Sequence, residues 1–231
     1  MKKTFLLSCL MLAAMPVMAA YTGHVYVDKN KNGVFDQSEK PLAGIKVSDG
    51  LNVVETAADG SFTLPGHERE RFIFITTPSG YKTFNRHYHK IEKKQSGYDF
   101  GLIPYSGRIR KDGSHRYIHI TDTEIFNTEN HADWVNNVHD YARNEQAAFI
   151  IHTGDLCYEK GLKAHIKLMN TENMDCPVFY CIGNHDLVKG KYGEELFESI
   201  YGPVYYSFDA GNVHYVVTVS YTHLTLPTIC S

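Results

Sequence analysis

Pro177-Val178-Phe179-Tyr180-Cys181-Ile182-Gly183-Asn184-His185-Asp186 is the stretch on which the fold turns. A short apolar run rich in β-branched and aromatic residues ends in glycine and then in a polar cluster, the pattern of a buried strand that runs into a loop. Two upstream stretches likewise run from a strand-like segment into a polar cluster: Arg116 to Ile120 leads into Thr121-Asp122-Thr123-Glu124, and Ala147 to His152 leads into Thr153-Gly154-Asp155-Leu156. Between the strands the spacing predicts helices over Ala132 to Asn144 and Leu162 to Met169. Strand and helix in turn imply an α/β layout, whose functional residues gather on loops at the carboxyl ends of the strands. Tyr205 to Phe208 and Val213 to Thr218 then read as a hairpin around Asp209, Gly211 and Asn212.

Before this region the pattern is different. Short alternating runs at His24 to Asp28, Ile45 to Ser48, Asn52 to Thr56, Ser61 to Leu64 and Phe72 to Thr76 are separated by turn signals such as Asp49-Gly50 and Asp59-Gly60. With no amphipathic helix among them, residues 20–105 are expected to form a small antiparallel β-sandwich. Gly101 to Gly113 reads as the linker, and residues 106–218 as the α/β domain. The 16 Tyr and 12 Phe against one Trp agree with a strand-rich chain.

The two ends carry other signals. Lys2 and Lys3 precede an apolar run from Phe5 to Ala14, and Val17-Met18-Ala19 supplies small residues for cleavage, so residues 1–19 read as a Sec signal peptide. The run is shorter than the roughly 20 apolar residues that cross a bilayer, so the mature protein is expected in the periplasm or outside the cell, with no transmembrane segment. At the other end, Val219-Ser220-Tyr221-Thr222-His223-Leu224-Thr225-Leu226-Pro227-Thr228 is similar to one translated frame of a transposon-library sequencing adapter. Residues 219–231 are therefore expected to be foreign to the natural protein. A formal charge of −3 gives no basic surplus for nucleic-acid phosphates. Cys157, Cys176, Cys181 and Cys230 are too sparse for a disulfide framework, and oligomeric state is not legible.

The strand-end clusters suggest metal chemistry. Hard cations take carboxylate and amide oxygen, and imidazole completes sites for Mn, Fe or Zn. An Asp after a buried strand is by itself more often a helix N-cap, so order and spacing must carry the argument. Together the three clusters resemble the calcineurin-like metallophosphoesterase family, whose Asp-x-His, Gly-Asp and Gly-Asn-His-Asp/Glu loops build a two-metal centre in an αββα sandwich. The resemblance covers about Arg116 to Thr218 and implies that Asp122 binds the first metal, Asp155 bridges both and Asn184 binds the second. His185 would then act on the leaving group or the phosphoryl oxygens, with Asp186 orienting its ring. The substrate implied is a phosphomonoester or phosphodiester, hydrolysed by metal-activated water. Two departures stand out. Glu124 occupies the position of the first histidine and would ligate through oxygen, and the later histidine ligands are absent. The fold expected is thus a truncated αββα sandwich that is inactive as it stands. A non-catalytic surface or binding protein with a degenerate metal centre is the alternative. His214 lies within a strand and reads as structural.

Asp28, Asn30, Asn32, Gly33, Asp36 and Glu39 fall at positions 1, 3, 5, 6, 9 and 12 of an EF-hand-type loop, here after a strand rather than a helix. The readings are a calcium site grafted on the sandwich and a polar turn. The surrounding Pro41-Leu42-Ala43-Gly44 and Asp59-Gly60-Ser61-Phe62 resemble the Ig-like or carboxypeptidase-regulatory-like domain that precedes the catalytic domain in exported bacterial metallophosphoesterases. Tyr81 to Lys94, basic and aromatic, reads as a solvated edge that could also contact an anion.

Overall fold

The computed structural model describes residues 20–219 apart from 68, 94, 96, 107 and 189–191. The expected signal peptide and nearly all of the expected adapter-derived tail lie outside the described residues.

Among the described residues, nine strands build the first unit: β1 (Ala20–Val27), β2 (Lys40–Pro41), β3 (Lys46–Ser48), β4 (Val53–Glu55), β5 (Ser61–Pro65), β6 (Phe72–Ile75), β7 (Tyr81–Thr83), β8 (Tyr88–Lys90) and β9 (Phe100–Pro104). One sheet runs β2-β1-β9-β7 with β5 also on β1, and the other runs β4-β3-β6-β8. Alternation decides which side chains face inward: Phe62 and Leu64 of β5 and Phe100 and Leu102 of β9 are buried while the residues between them are not. They meet Val25, Val47, Ile73 and Ile75 in one core between the sheets. The pairings are antiparallel except that β1 and β9 run parallel, Val25 opposite Phe100. The expected linker is thereby shortened at its start. β9 runs to Pro104, because the inward positions Phe100 and Leu102 outweigh the intervening Gly101. The short β7 and β8 were not expected, since three residues are too few to show a period.

The second unit follows with β10 (Tyr117–Ile120), α1 (Ala132–Asn144), β11 (Phe149–His152), α2 (Glu159–Leu168), β12 (Val178–Tyr180), α3 (Glu195–Tyr201), β13 (Tyr206–Ala210) and β14 (Val213–Val217). β10, β11 and β12 form a parallel sheet with Tyr117 opposite Phe149 and Ile150 opposite Val178. Period two gives it two apolar faces. Ile150 and Val178 join Val135, Ala142 and Met169 on the side of the helices, while Phe149 and Phe179 face the β13–β14 hairpin. Helix, sheet and hairpin are thus successive layers of an αββα arrangement. Phe179 and Phe208 stack at 3.5 Å between centroids, 7° from parallel, and removing such a buried ring costs about 3–5 kcal/mol. The unexpected α3 spans only seven residues and buries Phe197 and Tyr201 against Leu162.

The outer edge of β12 is closed by side chains. Thr171 Oγ1 accepts from Val178 N at 3.1 Å. The Tyr206 hydroxyl accepts from Tyr180 N at 2.9 Å and donates to Tyr180 O at 2.9 Å. The two units are joined through β6: Arg71 donates to Glu198 Oε1 at 2.6 Å, and Asp209 N donates to Thr77 O at 2.8 Å. No helix of the described residues is long and apolar enough to cross a membrane.

Candidate active site

The three loops expected to carry chemistry converge at the carboxyl ends of β10, β11 and β12. Asp122, Glu124 and Asp155 all adopt left-handed backbone, with φ of 54°, 43° and 51°. That conformation costs a non-glycine residue of order 1–3 kcal/mol and persists where surrounding contacts impose it. Here the contacts are visible: Asp122 N donates to Gly154 O at 3.2 Å, Ile125 N to Leu156 O at 3.1 Å, and Thr123 Oγ1 lies 2.9 Å from His152 Nε2. The third loop closes on the second through two glycines. A Cβ on Gly183 would lie 2.1 Å from Asp155 N, and one on Gly154 would lie 2.7 Å from Gly183 Cα. The glycines before Asp155 and Asn184 are therefore the sequence signal of main chains in contact.

Asp155 sits at the crossing. Its Oδ1 accepts from His185 N at 3.0 Å, and its Oδ2 is 4.0 Å from His185 Nδ1. The same Nδ1 is 3.1 Å from Glu124 Oε1, and the His185 ring stacks on Tyr158 at 4.8 Å and 20°. Asp186 does not orient that ring. Its fully buried carboxylate accepts from Cys157 N at 3.0 Å and Gly183 N at 2.8 Å, so both oxygens hold the loops together and Glu124 takes the expected place beside the imidazole. Burial raises the Asp186 pKa, the N–H groups of Cys157, Gly183 and Leu156 oppose this, and the Asp155 charge raises it again. Asp122 and Asn184 are exposed, and Thr121 Oγ1 donates to Asp122 Oδ2 at 2.7 Å. His214 bonds to Asp209 Oδ1 within the hairpin at 2.6 Å.

Asp122, Glu124, Asp155 and Asn184 supply accessible oxygen from one sheet edge, a donor set suited to hard or borderline divalent ions. Two ions about 3.5–4 Å apart need a wider spread of ligands than a single cage does. A tighter group lies elsewhere. Among the described residues, Asp49, His67 and Glu70 each place one ligand-capable atom within 4.8 Å of the others, at one end of the sandwich. His67 Nε2 is 3.4 Å from Asp49 Oδ1. Asp49 also accepts from Leu51 N, Asn52 N and Asn52 Nδ2, while Glu70 accepts from the Tyr21 hydroxyl and His67 N. Sequence reading missed this group because its members come from two separate turns.

The calcium-like loop is also compact. Buried Asp28 accepts from Asn32 N at 3.2 Å and Gly33 N at 2.9 Å, and buried Glu39 accepts from Lys29 N at 2.8 Å and Asp36 N at 3.2 Å. Asn30 and Asn32 both donate to Asp36 Oδ2, at 2.7 and 3.1 Å.

Comparison with known families agrees with this architecture. Residues 29–104 match the N terminal of calcineurin-like phosphoesterase, and residues 115–225 match calcineurin-like phosphoesterase, a span that takes in all three loops and the hairpin. The chain belongs to the calcineurin-like phosphoesterase family. Comparison with curated proteins gives no match.

Proposed function

We propose that the protein is an exported phosphoesterase that hydrolyses a phosphomonoester or phosphodiester with two bound cations of the Mn, Fe or Zn class. The observation that carries the reading is the position of Asp155, whose carboxylate meets the backbone of the third loop and faces the His185 ring. When bound, the cations supply an activated water and neutralise phosphoryl charge. Asp155, Asp122 and Asn184 would hold the cations, Asp155 from the crossing of the loops, and Glu124 would support a cation or the His185 ring. His185, with Nδ1 turned to Glu124, presents Nε2 to the ester and gives a proton to the departing oxygen. Asp186 keeps the second and third loops in register. The phosphate ester is the partner, and the negative net charge favours no nucleic acid.

Export rests on residues 1–19, a calcium ion in the first domain rests on the Asp28–Glu39 loop, and the adapter origin of the tail rests on the ten residues from Val219. Sequencing the natural locus past the codon for Thr218 tests the last.

Substitutions separate metal holding from proton transfer. In Mn2+-loaded protein completed with the natural sequence past Thr218, Asp155→Asn should lower ion occupancy and hydrolysis together, because the site loses the charge that holds the ions. His185→Asn should keep the ions and lower turnover of alkyl esters by about 10²–10⁴, the range of general acid catalysis, with a smaller loss for nitrophenyl esters. Full occupancy without hydrolysis of either ester class would favour the non-catalytic reading, to which the Glu124–His185 contact also lends itself.

A further inference from the structure

The basic and aromatic stretch from Tyr81 to Lys94 has no part in the strand-end chemistry, and the structure lays much of it against the second unit. β7, β8 and the turn between them form one wall of a cleft of about 680 Å3, while α2, the loop into β12, β12 itself and α3 form the other. The Tyr88 hydroxyl ties the two walls together by donating to Ile200 O at 3.3 Å. Cavities of this size hold small organic molecules. The wall of the second unit is largely apolar, with Ile166, Val178, Tyr180 and Ile200. The first unit brings Lys31, Lys82 and Arg86 to the same space, against one lining carboxylate, Glu172. His87 adds no charge to them, because burial lowers its pKa to about 4, and its buried Nε2 has no hydrogen-bond partner among the described residues.

These three cations have no carboxylate partner. Among the described residues the ion pairs of arginine belong to Arg71, Arg108, Arg116 and Arg143, and no lysine forms one. Lys82 Nζ instead lies 5.4 Å from the centre of the Tyr105 ring, and Arg86 Cζ 5.4 Å from that of Tyr88. An aromatic face positions a cation and leaves N–H groups free for another acceptor. In a chain of net charge −3, unpaired cations gathered in one cleft attract an anion, and the apolar wall opposite fits an organic body attached to it.

We infer that the cleft between the two units is a second binding site, which takes an amphipathic organic anion with its charged head on Lys82 and Arg86 and its apolar body against Ile166, Val178 and Ile200. None of Asp122, Glu124, Asp155, Asn184 and His185 lines it, so binding there needs no metal.

The test is calorimetric binding of naphthalene-1-sulfonate to the protein in EDTA, which keeps cations out of the strand-end centre. The sulfonate should bind about tenfold more tightly than naphthalene-1-methanol, the scale of hydrogen bonds to charged groups, and about tenfold more tightly than inorganic sulfate, which has no apolar surface to bury. Lys82→Gln with Arg86→Gln should lower the sulfonate affinity about tenfold and leave that of the alcohol unchanged, with a thermal melt to verify the fold. Glu172→Lys, at an exposed position, should raise the sulfonate affinity about threefold, a gain that misfolding does not produce. Equal affinity for sulfonate and alcohol, no advantage over inorganic sulfate, or a sulfonate affinity unchanged in the double variant or in Glu172→Lys overturns the inference. Each of these results leaves the phosphoesterase reading standing, since the measurement excludes the cations on which that reading depends.

Discussion

Glu124 Oε1 stands 3.1 Å from His185 Nδ1, so a carboxylate occupies the place where the family has an imidazole and turns toward the histidine of the third loop. An oxygen ligand there favours harder ions than a nitrogen ligand does. Glu124→His should therefore shift preference from Mn2+ toward Zn2+ by about tenfold in affinity ratio, on the general preference of imidazole for zinc. Competitive titration of the two ions checks it, and an unchanged ratio would place Glu124 outside the coordination sphere.

Gly183 and Asp155 touch through the main chain, which makes the third loop intolerant of any side chain at that point. Gly183→Ala should cost about 1–3 kcal/mol in denaturant unfolding, the usual range for forced overpacking, and should weaken Mn2+ binding as the loops part. Gly97→Ala is the control, since a Cβ there meets nothing within 4 Å. Its effect should stay within about 0.5 kcal/mol.

Acid should loosen the protein before its carboxylates titrate. His152 has no exposed surface, and burial lowers its pKa to about 3 despite the nearby Asp122 charge; burial likewise holds His165 well below its ordinary value. An unfolded chain takes up these protons as pH falls through 6.5, while folded His152 stays neutral until about 3. The stabilisation is complete above pH 6.5 and is lost progressively below it. For His152 the loss at pH 5 is about 2 kcal/mol. Urea midpoints at pH 7.5 and 5.0 should show the drop, and His152→Gln should reduce it.

The Asp28–Glu39 loop should bind calcium. At 100 times its dissociation constant a ligand adds about 2.7 kcal/mol of stability, enough to read in a thermal melt. Asp28→Ala with Glu39→Ala should abolish the rise, and a melt of the unmutated protein that ignores calcium would reduce the loop to a turn.

Much of this was legible in the sequence where a period repeats. Ala132–Asn144 was recoverable to the residue because its apolar stripe persists for more than three turns, and the three strand-end loops could be placed because each is a polar cluster that follows a strand-like run. β7 and β8 are too short to show a period, and α3 buries its apolar residues over barely two turns. Glycine and proline made Gly101 to Gly113 look like a linker, although burial of Phe100 and Leu102 extends the sheet to Pro104. Within the site, residue types and loop order were readable, but side-chain direction was not. Asp186 follows His185 in sequence yet turns under the loop, because the Cys157 and Gly183 N–H groups are close enough to satisfy both its oxygens. The Asp49, His67 and Glu70 group depends on two distant turns meeting, which no local pattern encodes.

The Tyr206 hydroxyl on Tyr180 gives the parallel sheet a direction of growth. Its two hydrogen bonds occupy the backbone N–H and C=O of Tyr180, and Thr171 takes the N–H of Val178, so no strand from another chain can zip onto that side without first displacing the hairpin. On the far side β10 has β11 as its one ladder partner among the described residues, and its side chains are only half covered. Any strand that enlarges the sheet must therefore join next to Tyr117–Ile120, the strand that leads straight into Asp122.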